Sequence, residues 1–164
     1  MKEFKYIAVI IVVGASLLSA CVKEKTFPPQ PVIAFKQYLS YSADSADCII
    51  SFKDGDGDIG IERTDTTSPN DFRMKYLYKD VDGIFKPFDA IDTTAVMDTL
   101  FYSYRVPNLT PDGQYKALDG EIRAKLRAAP IYGPGHHVVK FEITLRDRAG
   151  HLSNMVTTND ITVP

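Results

Sequence analysis

The chain has 164 residues, a formal net charge of −2 and a 45% hydrophobic composition, which suits one domain with a core of its own. So even a charge balance leaves no basic surface for nucleic acid. Two cysteines cannot build a disulfide scaffold, and nine Tyr and nine Phe supply all the aromatic side chains, with no Trp.

Met1-Lys2-Glu3-Phe4-Lys5 precedes an apolar run from Ile7 to Ala20. A basic start, a short apolar run and small residues before a break describe a secretory signal peptide over residues 1–20. The run falls short of the ~18 or more apolar residues of a spanning helix. A retained anchor helix or an N-terminal core helix is the alternative, but Lys23, Glu24 and Lys25 end the run sharply. Leu18-Ser19-Ala20-Cys21 resembles the bacterial lipobox, whose Cys is diacylated and becomes the first mature residue. That resemblance implies a lipid on Cys21 and attachment to a membrane, because two or three acyl chains anchor stably where one does not. Cys48 is then left without a partner in the chain and reads as a small buried hydrophobe on a strand.

Residues 21–31 read as a lipidated Cys followed by a tether. Phe27-Pro28-Pro29-Gln30-Pro31 can form neither a helix nor a central strand, and its polyproline stiffness would lift a domain off the membrane. Residues 32–164 read as that domain. Short stretches rich in β-branched and aromatic residues alternate with Gly, Pro, Asp and Asn, which predicts strands at Val32–Phe35, Cys48–Phe52, Phe72–Tyr78, Ile84–Phe88, Leu100–Val106, Glu121–Ala128, Val138–Arg146 and Met155–Val163. Alternation is cleanest from Val139 to Arg146, the mark of a half-buried strand. Glu121–Arg127 alternates too, although a short amphipathic helix also fits it. Asp82-Gly83 predicts a two-residue hairpin turn, and Ala149-Gly150 a turn between the last two strands. No convincing helix appears after the leader. The expected fold is an all-β, immunoglobulin-like β-sandwich of about seven to eight strands.

The stretch Asp54-Gly55-Asp56-Gly57-Asp58-Ile59-Gly60-Ile61-Glu62 carries the most chemistry. Alternating Asp on a Gly-rich path can turn several carboxylates to one point, and hard oxygen ligands in number suit Ca²⁺. Its spacing resembles the calcium loop of EF-hand and dockerin-type repeats. The resemblance implies Asp54, Asp56 and Asp58 as carboxylate ligands, Gly60 as the carbonyl ligand and Asp65 as the final acidic ligand. Ile59 departs from it, standing where that loop has its turn Gly, and Asp65 is shorter than the usual bidentate Glu. The flanks read as strands, so the expectation is a calcium loop set in a β domain. A solvated acidic turn whose Asp residues cap their own backbone is the competing reading. Asp147 is a further candidate ligand if the last hairpin packs beside the loop; a turn-capping Asp is an equal alternative.

The acidic loop after a strand, then Leu118-Asp119-Gly120-Glu121-Ile122, then Leu145-Arg146-Asp147-Arg148-Ala149-Gly150-His151-Leu152-Ser153-Asn154, is similar in order to lipoproteins of Bacteroidota that carry an immunoglobulin-like domain. His151 stands where such hairpins usually have Asn. Asp44-Ser45-Ala46, Asp65-Thr66-Thr67, Asp92-Thr93-Thr94 and Asp98-Thr99-Leu100 each resemble the O-glycosylation signal of that phylum; Asp65 would not readily serve both a glycan site and a metal. Val22-Lys23-Glu24-Lys25 only partly resembles the charged surface-export signal of such lipoproteins, which favours more consecutive acids; the outer membrane is the expected location, with its face left open.

Motifs for catalysis are absent from the sequence. His136 and His137 are adjacent and would face opposite ways on a strand, and no nucleophile elbow, phosphate loop, dinucleotide fingerprint, zinc motif or CxxC occurs. The function expected is non-catalytic: a membrane-anchored, calcium-stabilised envelope lipoprotein that binds or supports other envelope proteins. The alternative is a surface glycan-binding accessory domain of a polysaccharide uptake system, with the pairs Tyr76/Tyr78 and Tyr102/Tyr104 as sugar-stacking platforms unless those faces build the core.

Overall fold

The computed structural model describes residues 26–42, 45–87, 89–90, 98–99, 101–126 and 137–163. Cys21 and the leader, His136, Asp44 and Asp92-Thr93-Thr94 therefore lie outside the described residues. The chain forms β1 (Val32–Ser42), β2 (Ser45–Asp54), β3 (Phe72–Lys79), β4 (Phe85–Pro87), β5 (Asp89–Ala90), β6 (Asp98–Thr99), β7 (Phe101–Tyr104), β8 (Leu118–Leu126), β9 (Val138–Leu145), β10 (Val156–Thr157) and β11 (Ile161–Thr162), with no helix among the described residues.

Two antiparallel sheets form a sandwich. One has the order β1-β2-β8; in the other β9 and β3 are central, β10 and β11 pair with β9, and β4 and β7 pair with β3. Across the core, β1, β2 and β8 therefore face β3, β9 and their edge strands. β5 and β6 make a separate two-stranded ribbon. Pairing runs from Ala46↔Leu126 to Asp54↔Leu118 between β2 and β8, and from Phe72↔Leu145 to Tyr78↔Val139 between β3 and β9.

Period-two patterning decides which face is inside. Val139, Phe141, Ile143 and Leu145 of β9 are buried while the residues between them are half-exposed. They meet Phe72, Met74 and Tyr76 of β3 on their own sheet, and Cys48, Ile50, Phe52, Ala124 and Leu126 from the other. Phe141 centres an aromatic group, edge-on to Tyr76 at 5.8 Å and to Tyr102 at 5.7 Å between ring centroids. Tyr76 is buried, and Tyr78, Tyr102 and Tyr104 pack half-buried against the core. The tyrosine pairs thus serve the core rather than a flat exposed platform.

Several expected boundaries shift. β1 runs on to Ser42 through a bulge between Phe35 and Gln37 that restores its register against β2. Residues 118–126 form a strand and not a helix, because β2 pairs with all nine of them. The segment from Met155 to Val163 breaks into two short strands, since Thr158 turns inward and its Oγ1 accepts the Phe141 N–H at 3.1 Å. The Asp82-Gly83 turn is wider than two residues: Gly83 N–H donates to Asp80 O at 2.9 Å and Asp80 N–H to Ile84 O at 3.0 Å. The ribbon of β5 and β6 has no counterpart among the predicted strands.

Cys48 is fully buried, and burial pushes its thiol pKa up to about 12. In a Cys21→Ser chain at pH 8, a soluble thiol reagent should leave Cys48 unmodified in the folded protein and label it rapidly in denaturant. Native labelling at the rate of a free thiol would contradict this placement.

Candidate metal centre

β2 ends on Asp54, and the chain crosses from the first sheet to the second through the acidic loop. The crossing is fixed from inside by Ile59, which is fully buried in the core, and by Ile61, which bridges Pro107. Gly57 and Gly60 have φ of 72° and 89°. A Cβ on them would meet Lys116 O at 2.1 Å and Pro107 O at 2.0 Å, so only glycine fits this close approach. Ile59, the departure from the calcium-loop pattern, is thus the residue that plugs the loop into the sandwich.

Asp54 is fully buried. Its Oδ2 accepts the N–H groups of Gly57 at 2.8 Å and Asp58 at 3.1 Å. Asp58 reaches the last hairpin, where its Oδ2 accepts the Ala149 N–H at 2.8 Å and its backbone carbonyl the Arg148 N–H at 3.2 Å. Each carboxylate therefore spends one oxygen on the backbone. The other oxygens, Asp54 Oδ1 and Asp58 Oδ1, are shielded from solvent and have no hydrogen-bond partner. A buried unpaired carboxylate oxygen is costly.

One carboxylate oxygen each from Asp54, Asp56 and Asp58 lies within 4.8 Å of the others. Two oxygens bound to one Ca²⁺ at ~2.4 Å stand at most ~4.8 Å apart, so a single ion can span the set. Burial and the charge of Asp56 push the Asp54 carboxyl up to about 6, against the two backbone N–H bonds that lower it. Asp58 is also raised, first by burial; the Ala149 N–H opposes this and the Asp56 charge adds to it. What the arrangement offers is concentrated negative charge with free oxygens pointing out of water, which a hard divalent cation would neutralise.

The other candidate ligands lie apart from this cluster. Gly60 O accepts Arg148 Nη1 at 2.7 Å, so a guanidinium occupies the carbonyl expected to face a metal. Asp65 caps its own turn: Oδ1 accepts the N–H groups of Thr67 at 2.8 Å and Ser68 at 3.0 Å, and Oδ2 accepts the Ser68 hydroxyl. These bonds hold its carboxyl well below the usual range. Burying Ile59 and Ile61 carries the chain away before Asp65 can close a loop around the first three Asp residues. Asp147 is buried, with Oδ1 accepting the His151 N–H at 2.7 Å and Oδ2 lying 2.8 Å from His151 Nδ1. The last hairpin does pack beside the loop, but through Arg148 and Ala149.

Two features of the site have no signal in the sequence. Arg148 Nη1 joins Gly60 O to Asn108 Oδ1, at 2.7 and 2.8 Å, and nothing local marks this Arg as different from its neighbours. Pro28 O accepts the Gly55 N–H at 2.9 Å, Lys53 Nζ stands 5.3 Å from the Phe27 ring centre, and Pro31 is fully buried. From Phe27 onward the expected tether is laid against the domain.

Comparison with protein-family models, with curated proteins and with solved structures finds no match to this chain.

The buried charge predicts a pH dependence. The Asp54 carboxyl titrates near 3.8 in the unfolded chain and near 6 when folded, so the folded state holds the extra proton between those values. Without divalent cations its contribution favours folding below about pH 4 and is lost as pH rises through 6, by on the order of 3 kcal/mol. Denaturation in chelator across this range should show the fall relative to Asp54→Asn, which keeps an accepting oxygen but does not titrate. Parallel profiles for the two proteins would remove Asp54 as the source.

Proposed function

We propose that the chain is an exported lipoprotein, anchored to the outer membrane through lipid on Cys21, whose β-sandwich is a calcium-stabilised, non-catalytic module that binds or supports envelope components. The observation that carries the calcium reading is the pair of buried, unpartnered oxygens on Asp54 and Asp58 inside a three-carboxylate cluster. A turn that only capped its own backbone would leave its unused oxygens in water. Here they are buried together, where mutual repulsion opposes folding unless a cation is present. Ca²⁺ suits the site better than Mg²⁺, because an all-carboxylate set on a flexible Gly-rich path matches its variable geometry.

The anchoring reading rests on Leu18-Ser19-Ala20-Cys21 at the end of a short apolar run. An envelope protein is the favoured partner class over a glycan, since the tyrosines that would stack on sugars pack against the core.

Thermal melting of the chain without its leader, with Cys21→Ser, tests the calcium reading. At a hundred times the dissociation constant, a ligand that binds only the folded state adds about 2.7 kcal/mol, roughly 10 °C for a domain of this size. The shift should appear with calcium over chelator and vanish in Asp56→Ala, whose exposed side chain leaves the cation-free fold intact. No shift in the parent protein would reduce the loop to a solvated turn. Separately, expression with a labelled fatty acid in a bacterial host should yield a labelled protein that Cys21→Ser leaves unlabelled; label on both would refute acylation at Cys21.

A further inference from the structure

We infer that the pole of the sandwich built from the acidic loop, the hairpin from Asp147 to Met155 and the segment Phe27–Val32 is a calcium-dependent docking face for an anionic phospholipid surface. The inference rests on the calcium reading above and adds a ligand to that site.

The path of the chain brings the membrane to this pole. Pro28 is hydrogen-bonded to Gly55, one residue from Asp54, and a Cβ on Gly55 would meet Phe27 O at 2.2 Å, so the incoming segment lies directly on the loop. Six residues lie between Cys21 and Pro28, seven Cα–Cα steps with a reach of at most about 25 Å fully extended. Whether acyl chains on Cys21 or the apolar run ending at Ala20 enters the bilayer, the acidic loop is held within that distance of it.

Exposed apolar side chains gather at the same pole. Of the seven large hydrophobic side chains exposed among the described residues, Val32, Tyr115, Leu152 and Met155 belong to it. Asn154 ties the hairpin to β1, its Nδ2 donating to Ile33 O and its Oδ1 accepting the Ile33 N–H, both at 2.9 Å. Gln30 Nε2 donates to Leu152 O. These bonds fix Val32, Leu152 and Met155 in one region, and the same hairpin touches the carboxylate cluster through Ala149 and Asp58. Tyr115 precedes Lys116, whose carbonyl lies against Gly57.

Charge makes the contact conditional. Three carboxylates repel anionic headgroups; one divalent cation cuts that charge from about −3 to −1. Ca²⁺ takes ~6–8 oxygen ligands, so the three Asp residues leave positions that phosphate oxygens can fill. The fully buried, unpartnered Asp54 oxygen points to a ligand at this cluster independently of the clustering itself. Apolar side chains around the ion would then enter the headgroup layer, where binding grows with buried apolar area and with attraction to anionic lipid.

The test is vesicle co-sedimentation of the leaderless Cys21→Ser chain, which retains every described residue. Calcium should raise the fraction bound to vesicles with about a third phosphatidylglycerol at least ten-fold over chelator, with little binding to phosphatidylcholine alone. Leu152→Ser with Met155→Ser should abolish the gain while keeping the calcium-induced melting shift, because both side chains are exposed. A melting shift without vesicle binding would overturn the docking inference and leave the calcium reading standing; loss of both would overturn the two together. Calcium-driven dimerisation in sedimentation velocity, without vesicle binding, would assign the face to a second copy instead.

Discussion

One buried carboxylate organises the pole of the molecule where the chain enters. Asp54 ends β2 at the point where the first sheet hands over to the second, and its Oδ2 takes the two N–H groups that turn the loop. With that turn set, Ile59 falls into the core and Asp58 arrives beside the last hairpin. Gly55 meets the incoming Pro28. Three segments far apart in sequence therefore meet around this turn. The same burial withdraws the other Asp54 oxygen from water without replacing its partner. Forming the turn and leaving that oxygen without a partner are one event.

The loop is held by apolar anchors as well as by charge. Burying Ile59 and Ile61 is worth on the order of 2–3 kcal/mol each, comparable with the penalty of crowding the carboxylates in the absence of a cation. The core that receives Ile59 extends far beyond the loop, across β2, β8, β3 and β9. Removing a cation would therefore raise the energy of the pole without dissolving the sheets. Local loosening at the loop, the hairpin and Phe27–Val32 is the expected consequence, since local stabilities in one fold differ by the contacts each segment retains.

The sandwich was legible because its strands obey period two with few interruptions: Val139, Phe141, Ile143 and Leu145 announce both a strand and its buried face. The three Asp residues that meet were legible for a similar reason, since alternate residues on a Gly-rich path return to the same side. Asp65, Gly60 and Asp147 were not, because their placement depends on tertiary anchors. A spacing rule borrowed from a helix-flanked loop assumes that the chain keeps winding around the ion. In this chain Ile59 and Ile61 leave for the core, Gly60 O turns to Arg148 and Asp65 closes its own turn with Thr67 and Ser68. The docking of Phe27 and Pro28 was hidden for another reason. A Pro-rich segment shows that it is extended, but not what it lies against.

The charge of the loop remains distinct from its shape. Backbone capping by Asp54 and Asp58 would be met almost as well by Asn, whose amide oxygen accepts the same bonds and carries no charge to bury. Asp56 is exposed and faces Asp58, where its charge only raises the energy of its neighbours. A loop selected only to cross between sheets gains nothing from the third carboxylate and loses stability to it. A loop that holds a divalent cation gains from all three, because each carboxylate that destabilises the cation-free fold strengthens the bound one. Without a cation, Asp56 is unfavourable to the fold; a bound one would make the same exposed side chain its ligand nearest to solvent.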